Sequence, residues 1–398
     1  MKKYQTKKLA DKDILFMSSG GTPSREKLEY YKGDIVWLKS GELNDSQHIN
    51  NSEEKISEDA LKNSSAKIFP KNTVLFAMYG ATAGKLGILD MPAATNQAVA
   101  GMICNEKVLY YKYLFYFLFN TREKIIDKAW GGAQPNLSQT IIKRIEIPLP
   151  PLEIQKKIVE RIEKMMAKID EGRKLRKEAM ADASSLIPSA LNKIFKEGKN
   201  KGWEEKTISE ITEKTEKINP ADFFDKKFSY IDITSVSKSV DHIVRARILP
   251  VEKAPSRARN LVKEEDIIFA TTRPYLKNII IISKDLSGSV ASTGFCIIRS
   301  NKKMVDPKYI YYIVDSDYFL SRIIPLQRGA SYPAVSDSDI YNQKIPLPPL
   351  PEQKKIVKYL DSLSAKIGKV KDMQGQTNKE LKELEKAVLR EAFVERSC

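Results

Sequence analysis

The stretch IPLPPLEIQKKIV occupies residues 147–159, and IPLPPLPEQKKIV occupies residues 345–357. They lie 198 residues apart in a chain of 398. Three prolines stand at matched places in both, and a charged run with a hydrophobic beat follows each. With the same offset and no gap, residues 147–169 match residues 345–367 at roughly 14 of 23 positions, the mark of an internal repeat. The register persists: LIPSALNKIF (186–195) lies over LEKAVLREAF (384–393). Two segments of nearly fifty residues are therefore one unit written twice.

Both segments predict long helices. In the second, Ile356, Leu360, Leu363, Ile367, Val370, Leu381, Leu384 and Val388 recur on alternating four- and three-residue steps, with Gln374 and Thr377 at the polar steps between. That is the seam of a coiled coil. In the first, Ile158, Ile162, Met165 and Ile169 keep the beat. It weakens through Gly172 and Arg176 and resumes at Ala179, Ala183 and Leu186. Pro188 is expected to kink or interrupt this helix. Proline suits a first helical turn, where its missing N–H costs nothing, and Glu153 or Glu352 favours the positive end of the helix dipole. The preceding prolines hold the incoming chain extended. The doubled phrase thus predicts a strand-to-helix junction.

About 145 residues of mixed character precede each helix. β-Rich runs fall at 34–38 (DIVWL), 73–77 (TVLFA), 228–233 (FSYIDI), 266–270 (DIIFA), 278–282 (NIIII) and 295–299 (FCIIR). Each globule has an aromatic helix near its end, at 110–119 and 308–319. The globules echo each other locally: TVLFA over DIIFA, VWLKSGEL over SYIDITSV, GGAQPNLS over RGASYPAVS. Elsewhere they diverge. The expected fold is α+β, with globules at 1–150 and 199–348 and helices at 151–198 and 349–398.

Hydrophobic residues make up 42% and charged residues 30%, the balance of a soluble globular chain. No apolar run approaches the ~18 residues of a membrane helix. The first residues, MKKYQTKKLADKD, lack the apolar core of a secretory signal. Three scattered cysteines, Cys104, Cys296 and Cys398, argue for a reducing cytoplasm rather than a disulfide frame. Lysine and arginine number 67 against 51 aspartate and glutamate, for a net charge of +16, which suggests a polyanionic partner.

The pattern resembles the specificity (S) subunit of Type I restriction-modification systems. The resemblance is carried by residues 147–159 and 345–357, each followed by a long helix and preceded by a Gly-Ala-x(n)-Pro-x-x-Ser loop at 132–138 and 329–336. TTRPYLKN at 271–278 also looks like a phrase of the family. The resemblance spans the chain. It implies two target-recognition domains held by two antiparallel helices about a pseudo-twofold axis, each domain reading one half of a split double-stranded DNA target. It implies two methyltransferase subunits as partners, with two ATP-dependent restriction and translocase subunits as further candidates. Those partners would use S-adenosylmethionine, ATP and magnesium, and this chain would hold no cofactor and catalyse nothing. The residues alone point the same way. Unbroken helices of this size would span roughly 65–70 Å, a spacer for two basic globules on DNA half-sites about one turn, ~34–36 Å, apart.

One motif invites a different reading. YGATAGKLG (79–87) resembles a phosphate-binding P-loop, but Gly80 and Gly84 are one residue too close and Leu86 replaces the required hydroxyl. A Gly-rich turn after the strand at 73–77 is expected, with Lys85 on a DNA phosphate. His48 and His242 have no ligand partner at motif spacing. No methyltransferase tetrapeptide is present, so a fused DNA-modifying enzyme lacks its motifs, and a coiled-coil protein adaptor would leave the basic globules unexplained.

Arginine and lysine neutralise phosphates and can pair with guanine, and asparagine and glutamine can pair with adenine. The candidate DNA contacts in the first globule are Ser40, Glu42, Tyr79, Lys85, Asn96, Gln97, Gln134 and Asn136. In the second they are Arg257, Arg259, Arg273, Tyr275, Lys277, Arg328 and Tyr332. Lys156, Lys157, Lys354 and Lys355 read as solvated helix surface that could touch the methyltransferase.

Overall fold

A computed structural model describes residues 4–127, 137–222, 226–237, 243–244 and 246–394. The fold is α+β. The chain divides into two compact units, residues 1–176 with 375–398, and residues 177–374. Each unit takes a globule, the first half of the helix that follows it, and the last half of the other long helix.

Two larger sheets form the body of the first unit. A five-stranded sheet runs in the order Leu15–Ser19, Val99–Cys104, Val74–Ala77, Leu86–Leu89, Ser46–Ile49. A four-stranded sheet runs Glu54–Ile56, Ile35–Leu38, Ala93–Thr95, Ile68–Phe69. Val74–Ala77 and Leu86–Leu89 are buried at every position, as expected of apolar runs covered on both faces. The aromatic helix Tyr111–Asp127 lies against one sheet face and buries Tyr113, Leu114, Phe115, Phe117 and Leu118.

The second unit repeats the plan with different strands. One four-stranded sheet runs Thr212–Glu213, Phe295–Ser300, Ile267–Ala270, Ile279–Ile281, and another runs Arg247–Pro250, Lys227–Ile231, Val290–Ser292, Ala258–Leu261. The aromatic helix expected at 308–319 is two helices, Pro307–Val314 and Asp317–Ile323. Ser316 makes the break: its hydroxyl accepts from the Phe319 amide at 3.2 Å and caps the second helix. The echo of VWLKSGEL over SYIDITSV is structural. Both runs leave a strand through a 3-10 turn, Ser40–Glu42 and Ile233–Ser235; the Glu42 carboxylate accepts from the Lys39 amide in the first, and a capping box of Asp232 and Ser235 closes the second.

The doubled phrase begins as a strand. In the first unit Glu146–Pro148 pairs antiparallel with Thr6–Lys8, so the globule's first and last strands meet. In the second, Lys344–Leu347 pairs with Glu204–Thr207 in the same way. Ile147 and Ile345 are fully buried in the two copies. The helices Leu152–Asn200 and Leu350–Val394 follow at once.

Within the first unit the two helices run antiparallel, as Arg161 pairs with Glu391 at 2.6 Å and Arg173 with Glu385 at 2.5 Å. Phe393 packs edge-on to Phe117 at 5.7 Å between ring centres. Within the second unit Lys201 pairs with Glu352 at 2.7 Å, and Ala190, Leu191 and Phe195 share a core with Ile356, Val357 and Leu360.

Two expectations about the helices need correction. Pro188 does not interrupt the first, which continues from Leu152 to Asn200 with the proline inside it. One missing amide costs one hydrogen bond, and the turns beyond are held because Ala190, Leu191 and Phe195 are buried in the second unit's core. The seam is also not uniformly buried. Met165, Leu186 and Leu384, placed on it by periodicity, are 36%, 46% and 45% exposed. The deeply buried helix residues are those against a globule, such as Ile158 and Ile162 in the first unit and Leu360 in the second.

Candidate nucleic-acid interface

The geometry begins at the junction, where two glutamines do the same work. Gln155 and Gln353 stand 198 residues apart in the QKK of each phrase, and both are fully buried. The Gln155 amide oxygen accepts from the Tyr110 N–H at 2.8 Å, and its NH2 donates to the Val108 and Pro150 carbonyls, both at 2.8 Å. Gln353 accepts from the Asp306 N–H at 2.8 Å and donates to the carbonyls of Met304 at 3.1 Å and Pro348 at 2.8 Å. Each glutamine ties the start of its long helix to the start of the aromatic helix. A tyrosine repeats the tie: Tyr113 donates to the Pro148 carbonyl at 3.0 Å and Tyr309 to that of Pro346 at 2.8 Å. Proline carbonyls without a strand partner and first-turn amides would otherwise be orphaned in the interior. The sequence reading missed both glutamines, because QKK reads as helix surface. Their recurrence at the repeat offset was the available signal.

In the first globule the candidate loops converge. The Thr82 hydroxyl donates to the Ser40 carbonyl at 2.9 Å, the Asn96 amide to Leu38, and the Met78 amide to Ala98. Ser40, Glu42, Tyr79, Lys85, Asn96 and Gln97 therefore sit on connected loops. Several polar groups are already engaged. Glu42 accepts from the amides of Lys39 and Glu53, Asn96 from Ala98, and Gln97 accepts from the Thr22 hydroxyl. Gln134, Asn136 and His242 lie outside the described residues.

The P-loop-like run is a turn between the antiparallel strands Val74–Ala77 and Leu86–Leu89, with no helix behind it to face a phosphate. Gly80 and Gly84 take φ of +87° and +84°, conformations that glycine adopts freely. Lys85 does not stand free: its ammonium pairs with Asp45 at 2.8 Å. Arg122 grips the same carboxylate with contacts of 2.8 and 2.7 Å, and the Leu86 amide adds a third donor at 3.1 Å. Burial pushes the Asp45 carboxyl up, but Arg122 and Lys85 outweigh it and leave the group below its ordinary range. This clamp fixes the turn to the aromatic helix.

The second globule presents a more open cluster. Arg273 and Lys277 bracket the 3-10 turn Pro274–Leu276, and both are non-glycine residues in the left-handed region, at φ +50° and +55°. Such conformations cost about 1 kcal/mol or more each and persist where surrounding structure enforces them. Here the Arg273 amide donates to the Pro333 carbonyl at 2.7 Å and the Val335 amide to Thr271 at 3.0 Å, binding the 271–277 loop to the 328–336 loop. The Arg273 guanidinium stacks over the Tyr332 ring at 5.2 Å, and Tyr332 and Tyr275 are 72% and 48% exposed. Arg328 pairs with Asp339 at 3.1 Å and Lys277 with Asp317 at 2.6 Å. Arg257 joins the group through its carbonyl, which accepts from Thr293, whose neighbour Gly294 accepts from Thr271. Arg259 is turned elsewhere, onto Asn219 at 2.8 Å. An exposed arginine on an exposed tyrosine beside a second aromatic is a surface suited to base edges and phosphates.

Sequence reading also passed over Arg25. Its guanidinium lies over Tyr31 at 4.2 Å and near Trp37 at 5.3 Å, and pairs with Glu54 at 2.6 Å.

Two mixed globules joined by one repeated lock to paired helices describe a duplicated recognition protein. The chain belongs to the family of the Type I restriction modification DNA specificity domain, whose model matches residues 1–179 and again 200–382. Each match covers one globule and most of the helix behind it. The MjaIX specificity subunit of Methanocaldococcus jannaschii is 27% identical over 92% of this chain and 88% of its own length. The MjaVIII specificity subunit of the same organism is 26% identical over 74% and 73%. A chain from a structural study of complex assembly and conformational transition in the type I R-M system superposes with a TM-score of 0.73 over 98% of this chain and 97% of that one. At 20% identity that likeness shows the fold. Among the described residues no helix is long and apolar enough to cross a membrane.

Proposed function

We propose that the two globules each read one half of a bipartite double-stranded DNA target, and that the long helices fix the spacing and dock two methyltransferase subunits. Restriction and translocase subunits would join that assembly. Catalysis and the use of S-adenosylmethionine, ATP and magnesium would belong to the partners, and the complex would work in the cytoplasm. The observation that carries the proposal is the duplication itself: one lock, built twice from Gln155 with Tyr113 and Gln353 with Tyr309, supports two globules whose exposed loops differ. Identical supports under unlike loops suit an asymmetric target in two parts.

The readers within this proposal are Arg273, Tyr275 and Tyr332 in the second globule and the loops of Tyr79, Asn96 and Gln97 in the first. Lys85 acts mainly by holding its turn, since its charge is spent on Asp45. The test is selection from a random duplex pool by the chain assembled with its methyltransferase. Recovery of two short conserved blocks at a fixed gap is the expected result. An absence of sequence preference in the complete complex would defeat the proposal.

A further inference from the structure

The two units of the duplication differ in the charge of one cleft. In the first unit a cleft with a volume of about 590 Å³ opens between the aromatic helix and the two long helices. Six cationic side chains line it, Arg122, Lys124, Arg173, Lys382, Lys386 and Arg390, against Glu123 and Glu385. The floor includes Phe119 and Leu389. In the second unit a cleft of about 430 Å³ draws part of its lining from the corresponding places. At the offset of 198, Lys371 stands for Arg173, Ser184 for Lys382, Ile187 for Glu385 and Pro188 for Lys386. The charged side chains lining that cleft are Lys277 and Lys371, balanced by Asp315 and Asp317. Where the two linings correspond, the first unit is basic and the second is balanced.

The basic cleft also keeps charge to spare. Arg173 is shared between Asp170 at 2.9 Å and Glu385 at 2.5 Å, and Arg122 is held by Asp45. Lys386 has only distant partners, Glu123 at 3.8 Å and Glu383 at 4.0 Å. Among the described residues Lys124, Lys382 and Arg390 have no ion pair. Lys382, Lys386 and Arg390 follow at four-residue steps on one helix face, about 6 Å apart along the axis. Like charges so placed repel one another, and an anion lying across them relieves all three.

We infer that this cleft binds an anion of several linked phosphates, and that its counterpart in the second unit does not. A row of cations in a groove is how proteins track a phosphate backbone without reading bases. The ligand chemistry is shared by a nucleic-acid backbone and by free polyphosphate. The site rests on neither the target sequence nor the recognition loops.

Calorimetric titration of the full chain with tripolyphosphate at low salt tests it. Binding is expected, and the triple variant Lys382→Gln, Lys386→Gln, Arg390→Gln should weaken it at least tenfold while circular dichroism stays unchanged. Lys124→Gln, on a different helix, should weaken it severalfold by itself. Lys371→Gln, in the second unit's cleft, should leave it unaltered. No binding by the native chain, equal binding by the triple variant, or an equal loss in Lys371→Gln would each overturn the inference. Displacement by a short oligonucleotide lacking the target assigns the cleft to a nucleic-acid backbone, and resistance to it assigns free polyphosphate. Displacement by polyglutamate where the oligonucleotide fails would overturn the phosphate assignment in favour of an acidic protein segment.

Discussion

Gln155 and Gln353 are built alike to within a few tenths of an ångström, whereas the turns at Lys85 and Arg273 share a place and almost nothing else. The glutamines satisfy equivalent groups from equivalent helices. Lys85 is clamped by a carboxylate on a glycine turn, and Arg273 sits strained and exposed on a tyrosine. The chain repeats what supports and varies what faces outward. Support has few solutions, because a buried polar group must find every partner or pay a desolvation penalty. An outward loop is constrained only by what it touches.

The largest effect is expected at the locks. Gln155→Ala should leave three buried or part-buried backbone groups without their partner and cost on the order of 3 kcal/mol, and Gln353→Ala should cost about the same. Chemical denaturation of each variant measures this. A large loss for one and none for the other would show that the two locks are not equivalent.

Next come the outward loops. Arg273→Ala should lower affinity by about 1–3 kcal/mol for DNA intact in both halves, and the penalty should vanish once the half read by the second globule is scrambled. Equal penalties whichever half is scrambled would separate Arg273 from the second half-site.

Asp45 offers a pH-dependent effect of similar size. Its carboxyl is lower in the folded chain than in the unfolded one, so the clamp's contribution is complete above about pH 4 and fades as the pH falls through the folded value. Asp45→Asn should cost about 1–2 kcal/mol at neutral pH and nothing once the native carboxyl is protonated. Melting curves of both proteins between neutral and acid pH should converge, and parallel curves would remove the clamp from the account.

The smallest effect is expected at Pro188. Pro188→Ala restores a helix amide and should stabilise by about 1 kcal/mol, less than the full proline penalty because the surrounding turns are already held. Lys386→Ala, at the equivalent place, should change stability little. Thermal melts decide this, and destabilisation by Pro188→Ala would mean the proline packs better than its backbone costs.

The sequence made the junctions and helices legible because they are periodic and local: prolines, a first-turn glutamate, and apolar residues at helical spacing. The β-runs at 73–77 and 266–270 were legible for the same reason. The partners were not. Thr6–Lys8 closes onto Glu146–Pro148 across nearly the whole globule, and Arg122 reaches Asp45 across a loop, a sheet edge and a helix. Lys85 looked free because its counter-ion lies 40 residues away. Periodicity also overstated the seam, since a residue such as Leu384 can keep the beat and still face solvent. Of the candidate site, the loops were legible and the individual roles were not, because side chains in loops are spent on one another first.

The central claim is that one globule governs one half of the target. It is tested most directly by sequencing the DNA that the assembled complex selects, first with the native chain and then with Arg273→Ala combined with Tyr332→Ala. Two conserved blocks are expected for the native chain, and for the variant the loss of one block with the other and the gap unchanged. Erosion of both blocks together would contradict it.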